Sequence, residues 1–154
     1  MLINWTGDPL KNALQEGSYI GLVGVELPTR RRNRMNGKII EVAPPQPDAT
    51  ENFLIRVDLS FGNCPKYIQT RSIEIDEQKL AAISQVKPPT ISTSLSVEQQ
   101  LLISKSDTFY VASSFLPNET DPSSGVDVSH RGGKPGFVVV LDDTTIKWPD
   151  YVGK

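Results

Sequence analysis

Two short stretches of the chain concentrate residue types that bind anions. Residues 61–68 read Phe-Gly-Asn-Cys-Pro-Lys-Tyr-Ile, and residues 129–136 read Ser-His-Arg-Gly-Gly-Lys-Pro-Gly. Glycine and proline punctuate both stretches, which predicts tight, non-repetitive backbone paths. Cationic side chains stand at these bends, where exposed amides and positive charge together bind anions such as phosphate. We therefore take both stretches as candidate binding segments.

A third basic stretch, residues 30–34, reads Arg-Arg-Arg-Asn-Arg. In a strand, Arg30, Arg32 and Arg34 share one face and Arg31 points to the other. Three guanidinium groups on one face suit a phosphate or the acids of a neighbouring strand, and a solvated face fits equally well. The net charge of -2 and the lack of a stacking platform argue against nucleic acid as a partner.

The single cysteine and single histidine limit the chemistry of the chain. Cys64 lies near Lys66, but nucleophilic catalysis needs a base. The single histidine, His130, is far from Cys64 in the sequence. A metal site usually takes three or four ligands, which this pair cannot supply. We therefore predict no catalytic residue and no metal site, and we expect Cys64 to be a partly buried structural thiol.

An aromatic and charged cluster follows the last expected strand and contains Lys147, Trp148, Asp150 and Tyr151. Trp148 is either a core residue or a stacking surface for a flat ring, and composition does not separate the two.

The composition is that of one globular domain. The chain has 154 residues, of which 38% are apolar and 22% charged. No apolar run approaches the roughly 18 residues needed to cross a bilayer, so we expect no membrane association. A lone cysteine cannot form an internal disulfide, which favours a reducing, cytoplasmic location.

Hydrophobic periodicity predicts about six strands and few helices, a pattern typical of a mainly β fold built as a small barrel. The first strand is expected to be buried on both faces. Gly37 in the second marks a bulge or a bend at a barrel corner, or else Asn36–Gly37 forms a hairpin turn. A capping box at Ser96 begins a helix. Strands are expected at 19–27, 29–42, 53–60, 108–113, 137–141 and 145–148, and further helices at 8–14 and 76–84.

Five segments together resemble the flavin-binding split-barrel proteins related to pyridoxamine 5'-phosphate oxidase. The Asn-Cys-Pro-Lys-Tyr and His-Arg-Gly-Gly-Lys-Pro-Gly strings are the most specific parts of the resemblance. The matching segments are 30–37, 61–68, 106–113, 126–137 and 148–151.

This resemblance implies a six-stranded split β-barrel with short helices, usually a homodimer with FMN in the groove between subunits. It also implies an FMN-binding, oxidoreductase-like activity. Carried over position by position, it implies cofactor contacts at Asn63, Lys66, Tyr67, Ser129, His130, Arg131, Lys134, Asp150 and Tyr151.

The order of the segments differs from that of the family. Residues 1–84 resemble the later strands of a split-barrel module, 85–95 form a proline-containing linker, and 96–154 resemble the early strands. We expect the two parts to make one compact domain. A permuted barrel, a swapped dimer and a fragment of a two-module relative that is truncated at Lys154 all agree with this order. The alternative function is a non-catalytic split-barrel module that acts through oligomerisation or a partner.

Overall fold

The computed structural model describes residues 10, 13–43, 52–78, 90–118, 121 and 123–151 of the chain. The fold is mainly β, as predicted. Its strands lie in three antiparallel sheets, ordered β1-β2-β3, β4-β5 and β6-β7, and these do not close into a barrel within the described residues. The elements are β1 (Tyr19–Glu26), β2 (Arg31–Ala43), β3 (Asn52–Gly62), α1 (Val97–Lys105), β4 (Thr108–Phe115), β5 (Gly125–Gly132), β6 (Val139–Val140) and β7 (Ile146–Lys147).

Strand β2 begins at Arg31, two residues later than the strand predicted from residue 29. Residues 27–30 form the turn between β1 and β2, and Arg30 adopts a left-handed φ of 62° there. Glu26 pairs with Arg31, so the chain must reverse before the strand starts. Arg30 therefore does not share a strand face with Arg32 and Arg34, and that expectation was wrong.

Strand β2 continues through Asn36 and Gly37, with a shift in its pairing to β3 at this point. The irregularity predicted at Gly37 is therefore present, with the extra residue, Asp58, on β3, and the hairpin alternative is wrong. A Cβ atom on Gly37 would overlap the carbonyl oxygen of Arg56, because β3 approaches closely there. Glycine allows this approach because it has no side chain.

Strand β1 is covered mainly on one face by the described residues. Leu22, Gly24 and Glu26 are exposed, whereas Val23 and Val25 between them are half-buried. The expected burial of both faces was wrong, because β5 packs against β1 from one side.

The segment before Gly133 is a strand where the sequence suggested a turn. Residues 125–132 pair with β4 over its whole length, from Gly125 with Phe115 to Gly132 with Thr108. The turn comes later, where the Phe137 N–H donates to the Lys134 carbonyl at 3.0 Å. Pairing with an adjacent strand outweighs the local signal of the glycines.

The last two strands are shorter than predicted, with two residues each. Asp142 forms the turn between them by accepting from the Thr144 N–H at 2.9 Å. Beside this sheet, Phe109 stacks on Phe137 with a centroid distance of 5.8 Å and meets Trp148 edge-on at 5.3 Å.

The capping box of α1 is confirmed. The Ser96 hydroxyl accepts from the Gln99 N–H at 3.3 Å, and the Gln99 side chain accepts from the Ser96 N–H at 2.8 Å. Asp76 likewise accepts from the Gln78 N–H at 3.1 Å, and residues 77 and 78 are helical. The rest of the predicted 76–84 helix, most of the 8–14 helix and residues 85–89 of the linker lie outside the described residues.

The two parts of the chain meet where β5 packs on β1 and β2. Arg34 of β2 donates to the Asp127 carboxylate of β5 at 2.5 Å and to the Asn63 side chain at 2.7 Å. Its guanidinium also lies 4.7 Å from the centre of the Phe61 ring. Arg34 therefore contacts β3, the turn that follows β3, and β5.

The apolar core of the described residues is small. Ile39, Ile68 and Val138 are its buried hydrophobic residues. Polar contacts such as Arg34–Asp127 are therefore important for holding the two described parts together. No helix in the described part of the chain is long and apolar enough to cross a membrane.

Removing the Asp127 carboxylate should destabilise the fold. Asp127→Ala leaves the half-buried Arg34 without its charged partner, and we expect a loss of about 1–3 kcal/mol in the free energy of unfolding. Urea unfolding followed by circular dichroism measures this loss.

The matched control is Asp58→Ala, because Asp58 pairs with Arg56 at 3.0 Å on an exposed surface. Such pairs contribute little, so a loss below about 0.5 kcal/mol is expected. Equal losses in the two variants would show that Arg34–Asp127 does not hold the two parts together.

Candidate functional site

A cleft of about 370 Å³ lies at the junction of the two parts of the chain. It takes residues from β2, the turn after β3, β5 and the segment that follows β7. Of the nine residues predicted to bind a cofactor, it is lined by Asn63, Lys66, Tyr67, Ser129, His130, Arg131, Asp150 and Tyr151. The structure thus brings eight of the nine together, and their role in binding stays a prediction.

Lys134 is the exception. It lines a neighbouring cleft of about 510 Å³, which shares Tyr67, Phe137 and Tyr151 with the first. Lys134 lies in the turn that follows the end of β5.

Arg32 fastens the two binding segments to each other. Its Nη2 donates to the Cys64 carbonyl at 2.9 Å, and its Nη1 donates to the His130 carbonyl at 3.5 Å. A second hydrogen bond also joins these two regions of the chain, because the Gln69 side chain donates to the Gly133 carbonyl at 2.9 Å. Arg32 is not among the nine residues predicted to bind a cofactor, although it belongs to the basic stretch expected to suit a phosphate or neighbouring acids. Its strand position beside Arg34, on the same face, was the signal available.

Gly132 permits the close approach of the two segments. A Cβ atom here would overlap the Tyr67 carbonyl oxygen and lie 2.7 Å from Cε1 of His130. Any side chain at position 132 would therefore push the turn after β3 away from β5.

His130 is buried in the wall of the cleft, with 3% of its surface exposed. Its ring meets the Tyr110 ring edge-on at 5.6 Å. Among the described residues, neither Nδ1 nor Nε2 has a hydrogen-bond partner. Burial lowers the pKa of His130 below 6.5, and the charges of Arg32 and Arg131 lower it further. The imidazole is therefore neutral at physiological pH.

The mouth of the cleft carries positive charge. Arg131 is exposed, and its Nη1 donates to the Ser129 hydroxyl at 2.7 Å and to the His130 carbonyl at 3.1 Å. Lys66 is also exposed, and the Asp150 carboxylate lies on the same lining. Two exposed cations beside a hydroxyl group suit an anionic group at the surface.

Two tyrosines form an aromatic wall on one side. Tyr67 and Tyr151 stack with 4.5 Å between ring centroids and an interplanar angle of 15°. Tyr67 holds a left-handed φ of 65°. Trp148 does not line the cleft but packs on Phe109, so the two tyrosines and Phe137 supply the flat rings of this lining besides His130.

Cys64 is exposed on the cleft lining, so the expectation of a partly buried thiol was wrong. Its backbone has the structural role, through the carbonyl that Arg32 binds. Within the described ranges, no three His, Cys, Asp or Glu side chains are grouped to hold a metal ion.

In comparisons with protein-family models, curated proteins and solved structures, nothing matches this chain.

Adding a methyl group at Gly132 should open the cleft. We expect Gly132→Ala to lower the free energy of unfolding by about 1–3 kcal/mol, because the Cβ overlaps backbone atoms that cannot rotate away. Gly125→Ala is the control in the same strand, since a Cβ there meets nothing within 4 Å. If thermal unfolding gives equal losses for both, the close approach at Gly132 is not a constraint on the fold.

Protonation of His130 should destabilise the folded state. Because the folded pKa lies below the unfolded value, the unfolded chain takes up the proton first as the pH falls below 6.5. Stability should therefore decrease from about pH 7.5 to about pH 5.5, and His130→Gln should lose most of this slope. Urea midpoints across this range measure the slope. An unchanged slope in the variant would mean that His130 is not responsible.

Proposed function

We propose that this protein binds FMN and acts as an oxidoreductase-like member of the pyridoxamine 5'-phosphate oxidase-related group. One observation carries the proposal. Eight residues that the resemblance assigns to the cofactor come from distant parts of the chain and line one cleft. The split-barrel architecture and the homodimer that the resemblance implies, and the cytoplasmic location that the lone cysteine favours, are further parts of the proposal.

We assign the cations at the mouth of the cleft to binding the phosphate group of FMN. Lys66 and Arg131 are exposed enough to reach a charged group, and Ser129 supplies a hydroxyl beside Arg131. Charge-assisted hydrogen bonds of this kind are stronger than neutral ones.

We assign the inner wall of the cleft, formed by His130, Tyr67 and Tyr151, to contact with the flavin ring. His130 has buried, unpartnered ring nitrogens in this wall, and Tyr67 and Tyr151, which stack on each other, line the same cleft. The donors and acceptors present thus fit a cofactor with an anionic end and a planar polar end. FMN supplies the redox chemistry when bound, while these residues bind and orient it. No residue is assigned as a catalyst.

The proposal is tested by adding FMN and removing free flavin by gel filtration. We expect flavin to be retained in stoichiometric amount. Arg131→Ala should weaken FMN binding about tenfold or more, because a charge-assisted hydrogen bond is lost. Riboflavin, which lacks the phosphate, should bind both proteins equally.

Arg56→Ala is the control for charge alone, since Arg56 is exposed on β3 and does not line the cleft. Absence of retained FMN in the unaltered protein would overturn the proposal. Unchanged FMN affinity in Arg131→Ala would remove only Arg131 from the phosphate site.

The alternative function is a non-catalytic module that acts through oligomerisation or a partner. Large exposed apolar side chains favour it, among them Leu59 and Phe115, which are 61% and 60% exposed. Buried apolar contacts between chains would cover such side chains. A stable oligomer that retains no flavin, measured by light scattering after gel filtration, would support this alternative.

A further inference from the structure

We propose that the cleft beside Lys134 is a second binding site, for a small ring compound that carries a carboxylate or phosphate group. This second cleft, of about 510 Å³, is lined by the turn at residues 133–137 and by the rings of Tyr67, Phe137 and Tyr151. The inference goes beyond the proposed function, because neither the ligand nor the cleft is the one assigned to FMN. It gives Lys134 a role other than the FMN contact that the resemblance implies.

Lys134 is the cation of the second cleft. The other described residues of this lining are uncharged, so no carboxylate on the lining competes with an anionic ligand. Lys134 is exposed and forms no ion pair with another described residue. The cleft assigned to FMN differs, because Asp150 lines it together with its cations. An ammonium group without an acidic partner is available to an anion.

A rigid turn holds the backbone of Lys134. The Phe137 N–H donates to the Lys134 carbonyl at 3.0 Å. Between these two residues, proline fixes the φ of position 135 and Gly136 has a left-handed φ of 85°. Proline followed by a glycine of positive φ is typical of a type II turn. The cation is therefore presented by a backbone with little freedom.

Hydrogen bonds on both sides of Gly133 fasten this turn to the rest of the chain. The Gly133 N–H donates to the Asp107 carbonyl at 2.9 Å, and the Gly133 carbonyl accepts from the Gln69 side chain at 2.9 Å. The Phe137 ring covers Gly133 closely, since a Cβ atom there would lie 2.7 Å from Cγ of the ring. The backbone of the second cleft is thus fixed before a ligand binds, and binding loses little free energy in ordering it.

The aromatic rings of the lining favour a ligand that has a flat ring of its own. Tyr67 and Tyr151 stack with 4.5 Å between their centroids, which leaves no space for a further ring between them. A ligand ring therefore contacts this pair, or Phe137, from outside the stack. Aromatic contacts of this kind add modestly to affinity. A ring that carries an anionic group can use both the rings and Lys134, whereas a free anion or a neutral ring uses one of them.

The single phosphate of FMN does not account for Lys134. Lys66, Arg131 and Ser129 are the groups assigned to that phosphate, and all three line the first cleft. Lys134 lines the second cleft and not the first. The anion at Lys134 therefore belongs to another molecule.

The test titrates protein labelled with ¹⁵N with phenyl phosphate, benzoate and methyl phosphate, and follows the amide signals of Gly133 and Gly136. We expect phenyl phosphate and benzoate to shift both signals, and the tighter of the two identifies the anionic group. Methyl phosphate lacks the ring and should bind about threefold more weakly than phenyl phosphate. Unmoved signals with both ring compounds would overturn the second site, and equal binding of methyl phosphate would overturn the ring-bearing ligand.

Lys134→Gln should weaken phenyl phosphate binding about three- to tenfold, because an ion pair at an exposed site is lost while the turn residues are kept. Lys147→Gln is the matched control, since Lys147 is an exposed lysine that lines neither cleft. Equal affinities in the unaltered protein and a folded Lys134→Gln protein would overturn the role of Lys134. The titration of the unaltered protein remains the test if that variant does not fold.

Arg131→Ala checks that the probe does not occupy the first cleft. It should leave the shifts at Gly133 and Gly136 unchanged, because Arg131 lines the other cleft. Loss of both shifts in this variant would place phenyl phosphate in the first cleft and overturn the inference.

Measurements with FMN separate this inference from the proposed function. Lys134→Gln should leave the ratio of FMN to riboflavin affinity unchanged. A lower ratio together with unchanged phenyl phosphate binding would assign Lys134 to FMN and overturn the second site. Shifts at Gly133 and Gly136 in a protein that retains no FMN would support the second site and overturn the proposed function.

Discussion

Two arginines on one face of β2 hold this structure together. Arg34 reaches the Asp127 carboxylate of β5, and Arg32 binds carbonyls on both binding segments. The buried apolar residues of the described chain are few, so hydrophobic packing alone fixes the two sheets only weakly. Because guanidinium groups present several donors in a rigid plane, each can join more than two chain segments at once. The cleft exists because these contacts set the distance between β5 and the turn after β3.

The same contacts decide the chemistry of the cleft. Burial lowers the pKa of the His130 imidazole, and the neighbouring charge of Arg32 lowers it further, so this wall carries the charge of Arg32 beside a neutral histidine. The exposed cations Lys66 and Arg131 stand farther out. The cleft therefore has exposed cations on its outer side and a buried, neutral histidine in its wall. The stacked tyrosines complete the interior with an aromatic surface.

Local patterns predicted local structure well. The alternating apolar residues of β3 and the capping box of α1 gave the right element at nearly the right place. The wrong predictions concern segments whose structure depends on contacts with a neighbouring strand. Residues 129–132 contain a glycine and charges typical of a turn, yet β4 pairs with them as a strand. Strand β1 looked buried on both faces, and its cover depends on where β5 lies.

The sequence by itself determined the mainly β class and most strand positions, because these depend on residue type and short-range periodicity. The candidate residues that line the cleft came from the resemblance to the split-barrel family. Only the tertiary structure decided that Arg32 belongs to the site, that Lys134 faces a neighbouring cleft and that Cys64 is exposed. The reason is distance along the chain. Arg32 and His130 are 98 positions apart, and a contact of that kind leaves no periodic signal in the residues on either side.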